Sequence, residues 1–200
     1  MKNISILFLI LCFTTSSCIK FKKKDTDESR TEIFNTVTVD DEYRVGIPKF
    51  MRSTTGLNEE AALQYQNAFK EAYTIIIGEP KQEFVDVFME LDQYNENISL
   101  LQNYREIQLQ SFTSTISVSM ESEIKPLKIN GLDAESVQID GSVEGINEEI
   151  AYFLTFIEGT DNIYMMMSWT LKSKKEEHKK TFETIAQSFE LIDQETVTKV

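Results

Sequence analysis

The clearest candidate for covalent chemistry in the sequence is Cys18, which follows the small residues Ser16 and Ser17. A charged start at Lys2 and an unbroken apolar run over residues 4–13 precede it, and this order is typical of a secretory signal peptide. Lipoprotein signal peptidase cuts before a cysteine whose sulfur has received a diacylglyceryl group, and it requires small residues before that cysteine. The pattern predicts cleavage after residue 17 and lipid attachment on Cys18.

The cleavage motif is looser than its common form, because Thr15 stands where a leucine is usual. The competing interpretation is an uncleaved membrane span, but a spanning helix needs roughly 20 apolar residues. Cys12 is no alternative attachment site, because the bulky Ile10 and Leu11 precede it within the apolar run. Two or three acyl chains such as palmitate on Cys18 give stable attachment, whereas a single chain is marginal.

The remaining residue types leave little for catalysis. Cys12 departs with the signal peptide and Cys18 is blocked by lipid, so the mature chain has no thiol for catalysis or for a disulfide. The single histidine, His178, argues against a His-based metal site or a Ser-His-acid triad. No common nucleophile-elbow, phosphate-loop, zinc or EF-hand spacing occurs. We therefore expect no catalytic residues, no metal site and no cofactor.

His178 and the paired carboxylates have simpler explanations than chemistry. Charges surround His178 over residues 174–180, so it is expected to lie exposed, or at the boundary of the core, in the first turn of a helix. The adjacent acids Asp40–Asp41 and Glu148–Glu149 face opposite ways along an extended chain. They are expected to be solvated.

The methionines at positions 165 to 167 could suggest a thioether copper site. In a strand, however, only Met165 and Met167 share a face, so core packing is the favoured explanation. Trp169 continues the same stripe and is also predicted to be in the core, where its indole N–H needs a partner.

Charge separates the start of the mature chain from the rest. Residues 1–17 contain one basic and no acidic residue, so removing them takes the formal charge from −13 to −14. Such an acidic body repels phosphate backbones, which argues against nucleic-acid binding. The exceptions are Lys20, Lys22, Lys23 and Lys24. One interpretation is that they lie against anionic lipid headgroups, where each lysine contributes roughly 1 kcal/mol of attraction. The other is that they form a solvated linker.

The chain divides into four predicted segments. Residues 1–17 are the signal peptide, 18–32 a lipidated flexible tether, 33–192 a single domain and 193–200 a C-terminal tail. The tether is polar and lacks periodicity. The length of the domain suits one hydrophobic core.

Period-two alternation predicts the strands of the domain. They cover residues 37–39, 43–48, 73–77, 136–143, 151–157 and 163–171. The segment 151–157 is apolar on both faces, which indicates a central strand. The last three form an antiparallel meander, with a turn at Asn130–Gly131 before it.

Helical periodicity predicts three helices. The first follows Pro80, and its expected apolar stripe is Phe84, Val87, Phe88 and Leu91. The second covers about residues 98–112, with the stripe Leu100, Tyr104 and Ile107. The third is capped by Ser173 with Glu176 three residues on, and it buries Phe182, Ile185, Ala186 and Phe189. The fold class is therefore α+β, a mainly antiparallel β-sheet covered by helices.

Several stretches resemble PsbP-like domains. Residues 43–48 (YRVGIP), 58–65 (NEEAALQY) and 73–77 (YTIII) resemble the opening strands of that group. Residues 168–170 (SWT), followed by a helix that closes in 187–189 (QSF), resemble its final strand and helix. The resemblance implies the Mog1/PsbP-like fold, in which an antiparallel sheet lies between helices in αβα layers.

The resemblance implies little chemistry. PsbP-like proteins include an extrinsic subunit of the photosynthetic oxygen-evolving complex, Mog1 relatives bind a small GTPase, and many bacterial members are exported lipoproteins without an assigned activity. None of their functional motifs can be matched residue by residue in this chain, so the ligand-binding residues stay unknown. The property these proteins share is non-enzymatic protein binding.

We therefore expect a membrane-anchored exported lipoprotein that acts as a protein-binding or assembly module on the periplasmic side of a bacterial membrane. Ile19 stands where an aspartate would retain an enterobacterial lipoprotein at the inner membrane, which favours the outer membrane. The protein partner is unidentified.

The alternative is a carrier of a small apolar ligand in a pocket between sheet and helices. Its lining would come from Tyr152, Phe153, Phe156, Met165 and Trp169. An enclosed apolar cavity of a few hundred Å3 would favour the carrier, and a solid core would favour the protein-binding module. An enzyme would require His178 and carboxylates to converge in one cleft.

Overall fold

A computed structural model describes residues 33–192, so the predicted signal peptide, the tether with Cys18 and the tail 193–200 lie outside the described residues. In chain order the elements are β1 (Phe34–Val39), β2 (Tyr43–Pro48), β3 (Arg52–Ser53), β4 (Leu63–Asn67), β5 (Ala72–Pro80), α1 (Lys81–Glu90), α2 (Leu100–Thr113), β6 (Ser117–Glu121), β7 (Lys125–Ile129), β8 (Leu132–Ser142), β9 (Ile150–Glu158), β10 (Asn162–Leu171), a 3-10 turn (Lys172–Lys174), α3 (Lys175–Gln187) and β11 (Glu190–Leu191). Within this part of the chain, no helix is long and apolar enough to span a bilayer.

The strands form two antiparallel sheets within residues 33–192. The larger has the order β3-β4-β5-β10-β9-β8-β6, with β7 also paired to β8, and the smaller has the order β1-β2-β11. The predicted meander β8-β9-β10 is confirmed, and β9 lies buried at its centre. Asn130 and Gly131 form the predicted turn between β7 and β8, with φ of 48° and 90°.

Strand β10 shows how the large sheet separates two cores. Ile163 and Met165 belong to the core beneath α1 and α2, whereas Tyr164 and Met166 belong to the core beneath α3 and the small sheet. Successive side chains of a strand point to opposite faces, which produces this division. Helices cover both faces of a mainly antiparallel sheet, so the predicted α+β class is confirmed.

The apolar stripe predicted for α1 is only partly correct. Phe84 is buried and Phe88 is partly buried, but Val87 and Leu91 are 50% and 56% exposed. Val85 packs inward in their place. Valines occupy both positions, so periodicity could not decide which of them faces the sheet. Leu91 also lies beyond the end of the helix.

The start of α3 differs from the predicted capping box. Ser173 lies in the 3-10 turn, and its hydroxyl donates to Glu148 at 3.0 Å instead of capping the helix. Lys174 is the N-cap residue and makes no side-chain cap bond. The predicted inward face is confirmed by the buried residues Phe182, Ile185, Ala186 and Phe189, although Phe189 follows the helix.

Glu79 connects the end of β5 to α2. Its Oε1 accepts hydrogen bonds from the Tyr104 hydroxyl at 3.1 Å and from Gln108 Nε2 at 2.9 Å. Burial raises the pKa of the Glu79 carboxyl, the Tyr104 hydrogen bond opposes that effect, and the charge of Glu60 raises the pKa further. The ionised carboxylate is therefore less favourable in the folded chain than in water.

Replacing Glu79 with glutamine is expected to raise the free energy of unfolding at pH 7. The pKa of the Glu79 carboxyl is higher in the folded chain than in the unfolded chain. Its contribution to stability is therefore fully present at a pH below the unfolded pKa and is lost as the pH rises through the folded pKa. Glutamine keeps an oxygen acceptor and does not ionise. Urea unfolding at pH 4 and pH 7 measures the effect. A variant that is less stable than the natural chain at pH 7 would contradict it.

Candidate functional site

Three hairpin turns meet at one end of the domain. The turn between β9 and β10 is closed by a hydrogen bond from Gly159 N to the Asn162 carbonyl at 3.0 Å. Near the turn between β1 and β2, Ile192 N donates to the Glu42 carbonyl at 2.9 Å. In the turn between β7 and β8, Asn130 Nδ2 donates to the Phe189 carbonyl at 2.8 Å. Strand β11 thus lies between the turns.

These turns enclose an open groove of about 710 Å3, which we call the turn groove. Its polar lining includes Glu42, Asn130, Asp161, Asn162 and Glu190. Small-ligand sites are mostly apolar and enclose the ligand. The turn groove differs from such a site, because it opens to solvent and most of its lining residues are polar, the others being Leu132, Tyr164, Leu191 and Ile192.

Glu42 is the central group of the turn groove. The Asn162 side-chain amide and the Tyr164 hydroxyl both donate hydrogen bonds to its Oε1. Burial, followed by the hydrogen bond and the charge of Glu42, raises the pKa of the Tyr164 phenol well above its usual range. Burial and the same charge raise the pKa of Tyr43. Both phenols stay neutral at physiological pH, and Tyr164 serves as a donor.

Aromatic rings form the floor beneath Glu42. Phe189 stacks on Tyr43 with ring centroids 4.9 Å apart, and it lies 4.9 Å from the Tyr164 ring. Glycine is needed at position 159, because a Cβ there would come within 2.7 Å of Tyr164 Cε2 and 2.8 Å of the Asn162 carbonyl oxygen. The position of Tyr164 is therefore fixed from both sides.

Carboxylates dominate the charge at this end. Asp40 and Asp41 are exposed in the β1–β2 turn, as predicted, and both have positive φ. Glu190 pairs with Arg44 at 2.8 Å across exposed surface. Among residues 33–192, no ion pair involves Asp40, Asp41 or Asp161. These three carboxylates are available to a positively charged partner.

Replacing Glu42 with alanine is expected to lower the free energy of unfolding by about 1–3 kcal/mol, because two partly buried donors lose a charged acceptor. The pKa of Tyr164 is expected to fall at the same time, because Glu42 contributes to raising it. Urea unfolding and ultraviolet titration of tyrosinate measure the two effects. Asp161→Ala is the control, with a change within about 0.5 kcal/mol. An unchanged Tyr164 titration in the Glu42 variant would show that the contact is absent.

The prediction that His178 is exposed or at the boundary of the core is wrong. Its side chain is buried, Nε2 is 2.9 Å from the Lys70 carbonyl oxygen, and the rings of Phe50 and Phe182 have centroids 6.4 and 5.7 Å away. The spacing of four residues to Phe182 places His178 on the inward face of α3. That spacing was the available signal, and the neighbouring charges concealed it.

The structure does not bring catalytic groups together around this histidine. Its hydrogen bond goes to a backbone carbonyl and its ring contacts are aromatic. Within the described residues, no group of three His, Cys, Asp or Glu side chains is placed to hold a metal ion. Of the other predicted pair, Glu148 is exposed and Glu149 accepts a hydrogen bond from Lys172.

The residues proposed for an apolar pocket do not line one cavity. Tyr152, Phe156, Met165 and Trp169 pack on the α1 and α2 side of the sheet, whereas Phe153 packs beneath α3. Core packing is confirmed for Met165, while Trp169 is partly buried and stacks on Tyr73 at 5.3 Å. The cavity beside Phe153 is only about 70 Å3, well below the roughly 300–1,000 Å3 of ligand sites.

Comparison with known proteins identifies the fold. No protein-family model matches the chain, and no curated protein matches its sequence. Among solved structures, it is similar to the cyanobacterial PsbP protein CyanoP from Synechocystis sp. PCC 6803, with a TM-score of 0.50 at 10% identity over 79% of this chain and 92% of that one. The domain therefore has the Mog1/PsbP-like fold, as the resemblance in sequence predicts.

Two other structures are similar at lower TM-scores. LpqN from Mycobacterium tuberculosis, described as involved in cell envelope biogenesis, has a TM-score of 0.47 at 11% identity over 82% of this chain and 94% of that one. The Ran-binding protein Mog1p from Saccharomyces cerevisiae has a TM-score of 0.42 at 9% identity over 82% of this chain and 98% of that one.

Proposed function

We propose that this chain is a membrane-anchored, exported lipoprotein that binds a protein partner through the turn groove and catalyses no reaction. The observation that carries the proposal is the groove itself, which is open, polar and about 710 Å3 in volume. The small cavity beside Phe153 leaves little space for the alternative function, a carrier of a small apolar ligand. The described residues thus offer an external binding surface in preference to an internal one.

The partner is expected to present basic groups to the groove. Residues 33–192 contain 27 acidic and 13 basic residues, which gives the domain a formal charge of −14. Asp161 lines the groove, and Asp40 and Asp41 precede the lining residue Glu42 in the β1–β2 turn. None of the three has an ion pair among the described residues. Complementary charge across an interface speeds association and selects the partner.

The anchor is proposed to be a diacylglyceryl group on Cys18, exposed after cleavage of residues 1–17. The tether 18–32 then joins the lipid to the domain 33–192, which the tail 193–200 follows. The absence of an aspartate after Cys18 supports the periplasmic face of the outer membrane. Intact-mass measurement of the native protein tests the lipid. Cys18→Ala is expected to move the chain into the soluble fraction, and an unmodified Cys18 in membranes would contradict the anchor.

A crosslinking pull-down from mildly solubilised membranes tests the binding function. The matched variants are Asp161→Lys at the groove and Glu90→Lys at the exposed end of α1, which change the charge equally. We expect a specific crosslinked protein to be lost in the first and kept in the second. Loss in neither variant would remove the groove from the proposal. Co-purified small molecules without a protein would favour the carrier, and a reproducible reaction would overturn the non-catalytic assignment.

A further inference from the structure

We propose that the turn between β4 and β5 docks on the bilayer that holds the lipid anchor, with Phe69 in the membrane interface. This proposal rests on the lipidation of Cys18 proposed above. Phe69 is 99% exposed at the tip of that turn, although the neighbouring side of the sheet buries its apolar side chains. An aromatic ring in this position gains from transfer to the apolar side of a lipid headgroup layer.

The turn holds Phe69 outward by well-defined contacts. Lys70 N donates to the Asn67 carbonyl at 3.1 Å and to Asn67 Oδ1 at 2.9 Å. Asn67 Nδ2 donates to the Phe50 carbonyl at 2.6 Å, and the buried His178 bonds to the Lys70 carbonyl. The buried histidine of α3 thus fixes the turn from beneath. Because the backbone of the turn is already ordered, inserting Phe69 costs mainly the rotamer freedom of one side chain.

The chain from the anchor enters the domain beside this turn. The Ile33 carbonyl accepts a hydrogen bond from Lys49 N at 2.9 Å, and the next residue, Phe50, lies under the ammonium of Lys70 at 4.9 Å. Only fourteen residues, 19–32, separate Ile33 from Cys18. Even fully extended they reach about 50 Å. The tether is therefore long enough for the β4–β5 turn to reach the bilayer surface.

The charges of the domain also favour this orientation. Lys49, Arg52 and Lys70 lie at the entry end together with Glu71 of the turn. The start of α3, beside His178, adds Lys174 and Lys175 as well as Glu176 and Glu177. The carboxylates of the turn groove lie at the other end of β1, a six-residue strand of about 20 Å. An anionic bilayer attracts the first end and repels the second. The docked orientation directs the turn groove away from the membrane, toward its proposed partner.

Fluorescence quenching in vesicles tests the docking with the whole mature chain, residues 18–200. Cys18 is the only cysteine in that chain, so its thiol can be coupled to a maleimide phospholipid in vesicles of phosphatidylethanolamine and phosphatidylglycerol that contain brominated acyl chains. Phe69→Trp reports on the turn, and Thr160→Trp reports on the exposed β9–β10 turn at the opposite end. Each is measured as the emission added to that of Trp169.

Most of the emission added at position 69 is expected to be lost and the remainder shifted to the blue, whereas the emission added at position 160 stays unchanged. Phosphatidylcholine vesicles without an anionic lipid are expected to give weaker quenching at position 69. If brominated vesicles left the emission added at position 69 as unchanged as that added at position 160, the docking would be overturned. Because the lipid is attached chemically, this result is independent of whether cells acylate Cys18, which the intact-mass measurement decides.

Discussion

Replacing Asp140 with alanine is expected to lower the free energy of unfolding by about 3 kcal/mol, because it leaves the partly buried ammonium of Lys175, 15% exposed, without its partner. Asp140 lies in β8 and is 3% exposed. Its Oδ1 accepts a hydrogen bond from Lys175 Nζ at 2.7 Å, and Lys172 Nζ lies 3.7 Å from Oδ2. This carboxylate fastens the first turn of α3 to the sheet.

Urea unfolding measures the effect, and Asp133→Ala is the matched control. Asp133 pairs with Lys128, but the two side chains are 66% and 64% exposed, so the loss there is expected to stay below about 1 kcal/mol. Replacing Lys175 with methionine in the Asp140→Ala background should restore part of the stability, because no unpaired cation then remains. A loss below 1 kcal/mol for Asp140→Ala alone would show that the pair contributes little.

Phe189→Ala is expected to lower the free energy of unfolding by about 3–5 kcal/mol, because it leaves a cavity in a close-packed aromatic cluster. Phe189 is fully buried between Tyr43 and Tyr164, beneath Glu42. Water reaching this cavity would relieve the burial that raises the pKa of Tyr164, so that pKa is also expected to fall.

Thermal unfolding and tyrosinate titration measure these two effects. Phe69→Ala removes the same side chain from a fully exposed position, so its effect on stability is expected to stay within about 0.5 kcal/mol. Equal losses in the two variants would contradict the burial of Phe189. A neutral Phe69 variant also establishes that changes at the β4–β5 turn leave the fold intact, as the vesicle experiment requires.

The two proposals together give the domain a direction along β1. The exposed Phe69 lies toward the Ile33 end, from which the chain leads back to the proposed anchor, and the carboxylates of the turn groove lie beyond Val39. A domain that docks on the bilayer through the β4–β5 turn presents the turn groove, at its other end, to a protein partner away from the membrane. A Phe69 variant should therefore change the orientation on vesicles while leaving the groove intact.

The sequence predicted elements whose pattern depends on neighbouring residues along the chain. The meander β8-β9-β10 was predictable because period-two alternation records which face of a strand is buried. Strands β6 and β7 were missed, since β6 is largely exposed and β7 contains Pro126, which is unusual in a strand. Their pairing with β8 depends on residues distant in sequence.

The candidate site was beyond sequence reasoning for the same reason. Glu42 and its donors Asn162 and Tyr164 are 120 and 122 residues apart in the chain. A single glutamate between a turn and a strand gives no signal of its own. Only the packing of the small sheet against β10 brings the carboxylate to the two donors.

What the sequence determined by itself was the α+β class and the order of the main strands and helices, because these depend on local periodicity. Lipid attachment at Cys18 stays a prediction from a contiguous motif outside the described residues. The tertiary structure decided the burial of His178, the packing of the Val85 side chain against the core and the assembly of the turn groove around Glu42. Each of these results from contacts between distant segments, and such contacts compete with the local preferences of a residue and override them.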